Sequence, residues 1–346
     1  FVADMKENLF GKTLTELTEI VKSIGFAAFT ARQLADWLYK KHITDINKMT
    51  NLSLKFREAL SSEFASKNEE PCGVQASADG TKKYLFKIHS GDFIESVYIP
   101  DDDRATLCVS SQAGCRMGCR FCMTARQGFQ TNLTAGEILN QIFSIPGSDK
   151  LTNIVYMGMG EPMDNINEVL KSLEIITAEY GLAWSPKRVT VSTIGVLPAL
   201  KQFLDDSKCH LAVSMHNPFD DERRNMMPMQ KAYPIEDALT LIRQYDFTGQ
   251  RRVSFEYIMF AGVNDTERHA KAIAKLLKGL ECRMNLIRFH PIPGSDLKGS
   301  DDKTIERFKN LLSSHGIITT VRASRGMDIL AACGMLSTKE KNKKVL

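Results

Sequence analysis

The most specific chemistry in the chain sits on one short stretch, Cys115-Arg-Met-Gly-Cys119-Arg-Phe-Cys122, where three cysteines are spaced C-x3-C-x2-C. Three thiolates on so short a loop can hold three irons of a cubic iron-sulfur (4Fe-4S) cluster and leave the fourth iron without a protein ligand. An open coordination position is what a metal centre needs to bind and activate a small molecule. A structural zinc site would want a fourth Cys or His close by, and the next histidine along the chain is His210. Further polar groups close a series of apolar runs: Gly160 and Glu161 in Met157-Gly-Met-Gly-Glu-Pro162, Ser192 ahead of Thr-Ile-Gly195, Ser214-Met215-His216, and His290 in His290-Pro-Ile-Pro-Gly294. Glycines let backbone approach a ligand closely, and a carboxylate accepts hydrogen bonds from an ammonium. A lone Ser or His at such a place is ordinarily a satisfied turn residue, but a series of run-ends behaving alike points to a ligand site. Cys108 and Cys333 on their own read as small buried apolar side chains, the usual fate of free cysteine. Cys72, Cys209 and Cys282 fall in no motif and read as packing residues.

The elements that must position these groups follow from periodicity. Strand-like runs at 106–110, 153–157, 188–192, 210–214, 253–258 and 284–289 alternate with helical patterns at 136–143, 167–180, 235–245 and 266–280. Repeated β-α units predict an α/β fold with a parallel sheet, closed or partly closed into a TIM-like (β/α)6 barrel. In such barrels the chemistry lies on loops after the carboxyl ends of the strands, where the polar run-ends fall. Ahead of the barrel, residues 13–63 read as helical: Leu14, Leu17, Ile20, Val21 and Ile24 recur at helical spacing, Gly25 is a stop, Thr30 an N-cap, and a third helix starts near Leu52. These helices read equally as a nucleic-acid docking module or as a cap on the barrel. Runs at 82–88 and 93–99 flank His89-Ser-Gly-Asp92 and predict a β-hairpin linker. The expected divisions are a helical domain 1–70, the linker 71–104, the barrel 105–336 and a basic tail 337–346.

Composition narrows the class. The 346 residues are 43% hydrophobic and 25% charged, as expected of a globular protein, and 45 Lys+Arg against 41 Asp+Glu leave +4, which permits a polyanionic partner without requiring one. No apolar run approaches membrane-spanning length and no secretory pattern opens the chain, so no membrane partner is expected. Eight cysteines, three of them assigned to metal, fit a reducing, cytoplasmic setting rather than a disulfide framework. Phe1-Val-Ala-Asp ahead of Met5 reads as a vector remnant or as part of a longer native start.

The three-cysteine spacing resembles the radical S-adenosylmethionine (SAM) superfamily, and the resemblance sharpens elsewhere. Gln112-Ala-Gly-Cys115, Gly128-Phe129, Asn132-Leu-Thr134, Gly158-Met-Gly-Glu-Pro162, Ser192-Thr-Ile-Gly195, Ser214-Met-His216, Pro228-Met and Gly262-Val-Asn-Asp265 together look like the RlmN/Cfr family of radical SAM methyltransferases, which modify adenine in RNA. Glu161-Pro162, the long N-terminal module and Pro291-Ile-Pro-Gly294 look more like the RlmN branch, which methylates adenine C2, than the Cfr branch, which methylates C8. The resemblance implies a 4Fe-4S cluster on Cys115, Cys119 and Cys122, and SAM held by Gly160, Glu161, Ser192, Ser214, Met215, His216 and His290. His290 stands where the RlmN branch usually has Asn. It also implies that Cys333 takes a methyl group from one SAM, that a radical from a second SAM removes a hydrogen from it, and that the S-methylene radical adds to adenine C2. After loss of an electron and the C2 proton, Cys108 attacks the Cys333 sulfur and releases the product as a disulfide forms. Glu95 matches the proton acceptor; as a bare residue it reads equally as a charge on an exposed strand face. The implied partners are 23S rRNA and tRNA, an electron donor such as flavodoxin and a thiol reductant, with the protein a monomer. Arg116, Arg120, Arg126, Arg223, Arg224, Arg251, Arg252, Arg322 and Arg325 would neutralise phosphate around the extruded base. The rivals are a Cfr-like C8 methyltransferase, a glycyl-radical activase needing neither Cys333 nor Cys108, and a zinc-bearing RNA-binding module.

Overall fold

The computed structural model describes residues 6–249 and 251–338. Ten strands form one sheet whose spatial order follows the chain: β1 (Gly73–Ala76), β2 (Lys82–Lys87), β3 (Phe93–Asp101), β4 (Arg104–Cys108), β5 (Asn153–Tyr156), β6 (Val189–Thr193), β7 (His210–Ser214), β8 (Val253–Met259), β9 (Arg283–Arg288) and β10 (Ile318–Val321). From β4 to β10 every neighbouring pair is parallel, and β1 to β4 are antiparallel. Side chains near the carboxyl ends of all seven parallel strands line one cavity. In a flat sheet the outermost of seven strands stand about 29 Å apart, so the sheet must curl into the partial barrel that the β-α alternation predicts.

All six predicted strands are present. The seventh parallel strand, β10, escaped the sequence reading because Ile-Thr-Thr-Val is short and lies on an edge, leaving Ile318 57% exposed. The hairpin is not a detached linker: after Asp102 and Asp103, β3 pairs directly with β4 and continues the sheet outward. An isolated hairpin is marginal in water, and the free edge of β4 needs a partner. The crossover helices include α5 (Ala135–Phe143), opened by a capping box between Thr134 and Glu137.

The N-terminal module contains α1 (Leu14–Ser23), with a Thr13–Glu16 capping box, α2 (Thr30–Ala35), which continues through a wider turn over Asp36–Lys40, and α3 (Leu54–Glu63), capped by Ser53. Thr30 is buried inside the first turn of α2 rather than capping it; the cap position is Phe29, whose side chain bonds nothing there. The module docks on α5, where the Phe143 ring meets Phe10 edge-on at 5.2 Å and Tyr39 at 6.5 Å. One hydrophobic core runs unbroken through both parts, so the boundary near residue 70 does not separate two cores. At the other end Ser337 and Thr338 are hydrogen-bonded into the barrel; the rest of the basic tail, and residues 1–4, lie outside the described residues.

Candidate active site

The cavity at the carboxyl ends of β4 to β10 has a volume of about 210 Å³ and is lined by all three motif cysteines. Their loop leaves β4 and ends where Cys122 opens the short helix α4 (Met123–Gln127). Backbone bonds fix it: Cys115 N–H donates to Gly128 O at 3.2 Å and Arg120 N–H to Met226 O at 3.0 Å. Burial pushes the Cys115 thiol up to about 12 and holds Cys119 well above its ordinary range, and negative charge on Cys122 opposes ionisation of both. Thiols so placed favour a cationic ligand that stabilises all of them as thiolates. A structural zinc site would want four ligands at one point, and among the described residues no group of three or more His, Cys, Asp and Glu is set to hold a single metal ion. Three sulfurs around a shared cavity suit a cubic cluster, whose thiolates sit on different irons.

Opposite the cysteines, the loop after β5 runs against the segment after β4. A Cβ on Gly158 would stand 2.7 Å from Val109 O, and one on Gly160, at φ 99°, would stand 2.6 Å from Gln112 Cβ. These glycines therefore serve the packing of two loops that build the site as well as leaving room for a ligand. Glu161 is 3% exposed, with Oε1 accepting from Met163 N–H at 3.2 Å and Oε2 from Ile194 N–H at 3.0 Å. Burial outweighs these bonds and raises its carboxyl to about 7. Ser192 and Ser214, at the ends of β6 and β7, line the same wall. His216 follows in the left-handed region, at φ 54°. Its Nδ1 accepts from Ile258 N–H at 3.1 Å, and burial together with Arg223 pushes the imidazole down to about 3. The ring is thus neutral, with its proton on Nε2. Asn264, fully buried, holds this turn by donating 2.7 Å hydrogen bonds to the carbonyls of both His216 and Ile258.

Cys108, at the end of β4, and Cys333, on the segment after β10, face this cavity together. Burial pushes Cys108 up to about 12, with the charge of Cys333 adding to the effect and Arg322 opposing it. Cys333 has its side chain partly open to solvent; the protein packed around its thiol still raises it above the ordinary range, and Arg322 lowers it. Arg322 directs Nε toward Glu256 Oε2 at 3.4 Å, and Glu256 is further bonded by Asn285 Nδ2 at 2.8 Å. Sequence reasoning missed Glu256 and assigned Arg322 to RNA phosphate. The available signal was a lone carboxylate in Val253-Ser-Phe-Glu-Tyr-Ile258, a strand otherwise suited to burial on both faces.

Three predicted site residues do not line the cavity. Met215 lies between Ser214 and His216 and is fully buried in the core, as side-chain alternation along the chain requires. His290 turns to Ser324, with Nε2 and Oγ 2.8 Å apart. Glu95 is 1% exposed in the sheet extension, paired with Lys83 and bonded by Ser337 N–H, so it is not on an open strand face. Two arginines expected to meet phosphate, Arg223 and Arg251, are buried and structural, whereas the Arg116 side chain is half exposed. Arg223, 1% exposed, donates to the carbonyls of Met215, Ile194 and Ser214. Arg251 donates to those of Cys209, Leu204 and Phe203, while Arg116 pairs with Asp164 and stacks on Phe129.

Comparison with known proteins agrees with this geometry. The family model of the radical SAM superfamily matches residues 109–273, and that of the ribosomal RNA large subunit methyltransferase N-terminal domain matches residues 7–65. The chain is 56% identical over 341 residues to a Bacteroides thetaiotaomicron protein named "Probable dual-specificity RNA methyltransferase RlmN", covering 98% of this chain and 99% of that one. It is 41% identical over 342 residues to the dual-specificity RNA methyltransferase RlmN of Syntrophus aciditrophicus, covering 98% of each. A radical SAM methyltransferase of known structure from Sphaerobacter thermophilus superposes with a TM-score of 0.88 at 38% identity, over 95% of this chain and 99% of that one. The chain belongs to the RlmN family of radical SAM methyltransferases, enzymes that work with a 4Fe-4S cluster and SAM.

Proposed function

We propose that the protein methylates C2 of adenine in 23S rRNA and tRNA, with Cys333 as the methyl carrier. The observation that carries this reading is the meeting of Cys333 and Cys108 on the cavity that also holds the three-cysteine loop. Cys115, Cys119 and Cys122 hold the cluster; Gly160, Glu161, Ser192, Ser214 and His216 receive SAM, with Met215 supplying backbone and His290 standing further off. When bound, these cofactors supply a methyl group and a radical able to remove hydrogen from it. The Glu161 carboxylate accepts from an ammonium, and the neutral His216 donates from Nε2 into the cavity. Arg322 favours the thiolates of Cys333 and Cys108. Adenine C2 is electron-poor and no side-chain base can turn it into a nucleophile, so a covalent carrier divides the step. Glu95, buried off the cavity beside Lys83, is not placed to receive the C2 proton. Once the adduct has lost one electron and that proton, Cys108 attacks the Cys333 sulfur: the S–S bond forms, the S–CH2 bond breaks and the carbon takes a solvent proton. A thiol reductant resets the disulfide; all eight cysteines are free in this structure. The N-terminal module docks RNA, a flavodoxin-type donor supplies electrons, and the monomer works in the cytoplasm. Among the described residues no helix is long and apolar enough to cross a membrane.

The test is anaerobic turnover with SAM deuterated in its methyl group, followed by mass analysis of the modified adenosine. A 2-methyl group carrying two deuterium atoms and one solvent proton is expected. Three deuterium atoms would mean direct transfer and remove the roles of Cys333 and Cys108; 8-methyladenosine alone would assign the chain to C8 chemistry.

A further inference from the structure

Lys83 places an ammonium inside the sheet extension, at a point the reaction scheme does not use. Its side chain is 7% exposed, and that of Glu95, its partner across β2 and β3, is 1% exposed. Lys83 lies opposite Val97, so Glu95 is its diagonal neighbour on the same face. Nζ lies 3.4 Å from Glu95 Oε1 and 3.3 Å from the carbonyl oxygen of Leu330. The other carboxylate oxygen of Glu95 accepts from Ser337 N–H at 3.2 Å. One buried ion pair thus grips both ends of the stretch 330–337, with Cys333 in its middle. The stretch needs holding: Leu330 sits at φ 52°, a left-handed conformation costly for a branched side chain and kept only where the surroundings enforce it. Beyond Cys333 the chain is fastened to α4, where Met123 N–H donates to Gly334 O at 2.7 Å and Thr124 Oγ1 to Leu336 O at 2.8 Å. On the near side, Lys83 brings a full charge to the carbonyl three residues before the thiol.

We propose that Lys83 is a positioning residue, holding the Cys333 segment against the sheet extension through Leu330 and, through Glu95, Ser337. The proposal rests on the reading of Cys333 as methyl carrier. Burying an ammonium and a carboxylate is expensive unless hydrogen bonds offset it, and here one bond from each partner goes to the segment that carries the reactive sulfur.

The experiment compares cluster-loaded wild type, Lys83→Met and Lys83→Arg by amide hydrogen exchange and by the rate of methyl loading on Cys333. In Lys83→Met, exchange in 330–338 rises about tenfold or more, as loss of a buried charged hydrogen bond implies, while 93–101 and 253–259 stay protected. Methyl loading at saturating SAM falls and the KM for SAM is unchanged; Lys83→Arg restores both. Unchanged exchange in 330–338 overturns the proposal, and so does equal acceleration throughout the sheet. Should Lys83→Met fail to fold, Glu95→Gln, which keeps shape and removes the ion pair, must still speed exchange at Ser337, and protection there would overturn the proposal. If wild type carries no methyl on Cys333, the carrier reading fails, and the exchange data still decide whether Lys83 holds the segment.

Discussion

Arg322 is the side chain whose position changes the chemistry most. Its charge favours the thiolate of Cys333 and Cys108 where burial opposes it, and Glu256 keeps it in the cavity rather than in solvent. Arg322→Met should therefore slow methyl loading of Cys333 about tenfold or more at neutral pH, since one pKa unit is a factor of ten in thiolate; Arg322→Lys should recover part of the loss. Because both thiols lie above their ordinary range, with Cys108 near 12, thiolate and rate should climb as pH rises above neutrality. Mass spectrometry of the Cys333 peptide after one turnover measures the loading. A loading rate that falls with rising pH would mean the thiolate is not the attacking form. The cysteines, Glu161 and the strand-end serines were legible because their spacing is local. The Arg322–Glu256 pair was not, since its members lie 66 positions apart and meet only through the packing of β8, β9 and β10.

At the scale of elements, the six apolar runs were readable because parallel strands buried on both faces need continuous hydrophobic sequence. Edge strands need much less, which is why β10 and β1 were invisible. The Gly262-Val-Asn-Asp265 motif was recognisable in sequence without a role; the fold supplies one. Asn264 Oδ1 accepts from Phe260 N–H at 2.7 Å while its amide bridges the His216 and Ile258 carbonyls, joining the end of β8 to the left-handed turn after β7. Asn264→Ala strands three buried backbone groups, and at about 1 kcal/mol each or more it should cost on the order of 3 kcal/mol of stability. Because the His216 turn lines the cavity, affinity for SAM should fall while affinity for RNA holds. Calorimetric unfolding and SAM titration of the cluster-loaded protein check both, and a variant that loses stability but binds SAM normally would confine Asn264 to the scaffold.

Across the whole molecule, the N-terminal helices and the barrel approach through bare backbone. A Cβ on Gly11 would stand 2.2 Å from Gly136 N, and one on Gly136 would stand 2.4 Å from Phe10 O. Around that crossing Phe10, Tyr39 and His42 pack on Phe143, and Lys171 of the barrel reaches Glu16 at 2.7 Å. Helical periodicity left open whether the module is an RNA-docking unit or a cap; the continuous core makes it part of the enzyme body, and its place beside the barrel allows both roles. Gly136→Ala separates them. Alanine suits the helical backbone of α5, so the substitution should leave α5 intact and act through the clash with Phe10. If the module docks RNA from a fixed position, tRNA binding should weaken about tenfold or more, since a lost 1.4 kcal/mol is a factor of ten, while cluster content and methyl loading of Cys333 persist. Filter binding of labelled tRNA and hydrogen exchange over 7–65 read the two effects. A module loosened by exchange yet still binding tRNA at full strength would place the docking surface on the barrel mouth instead.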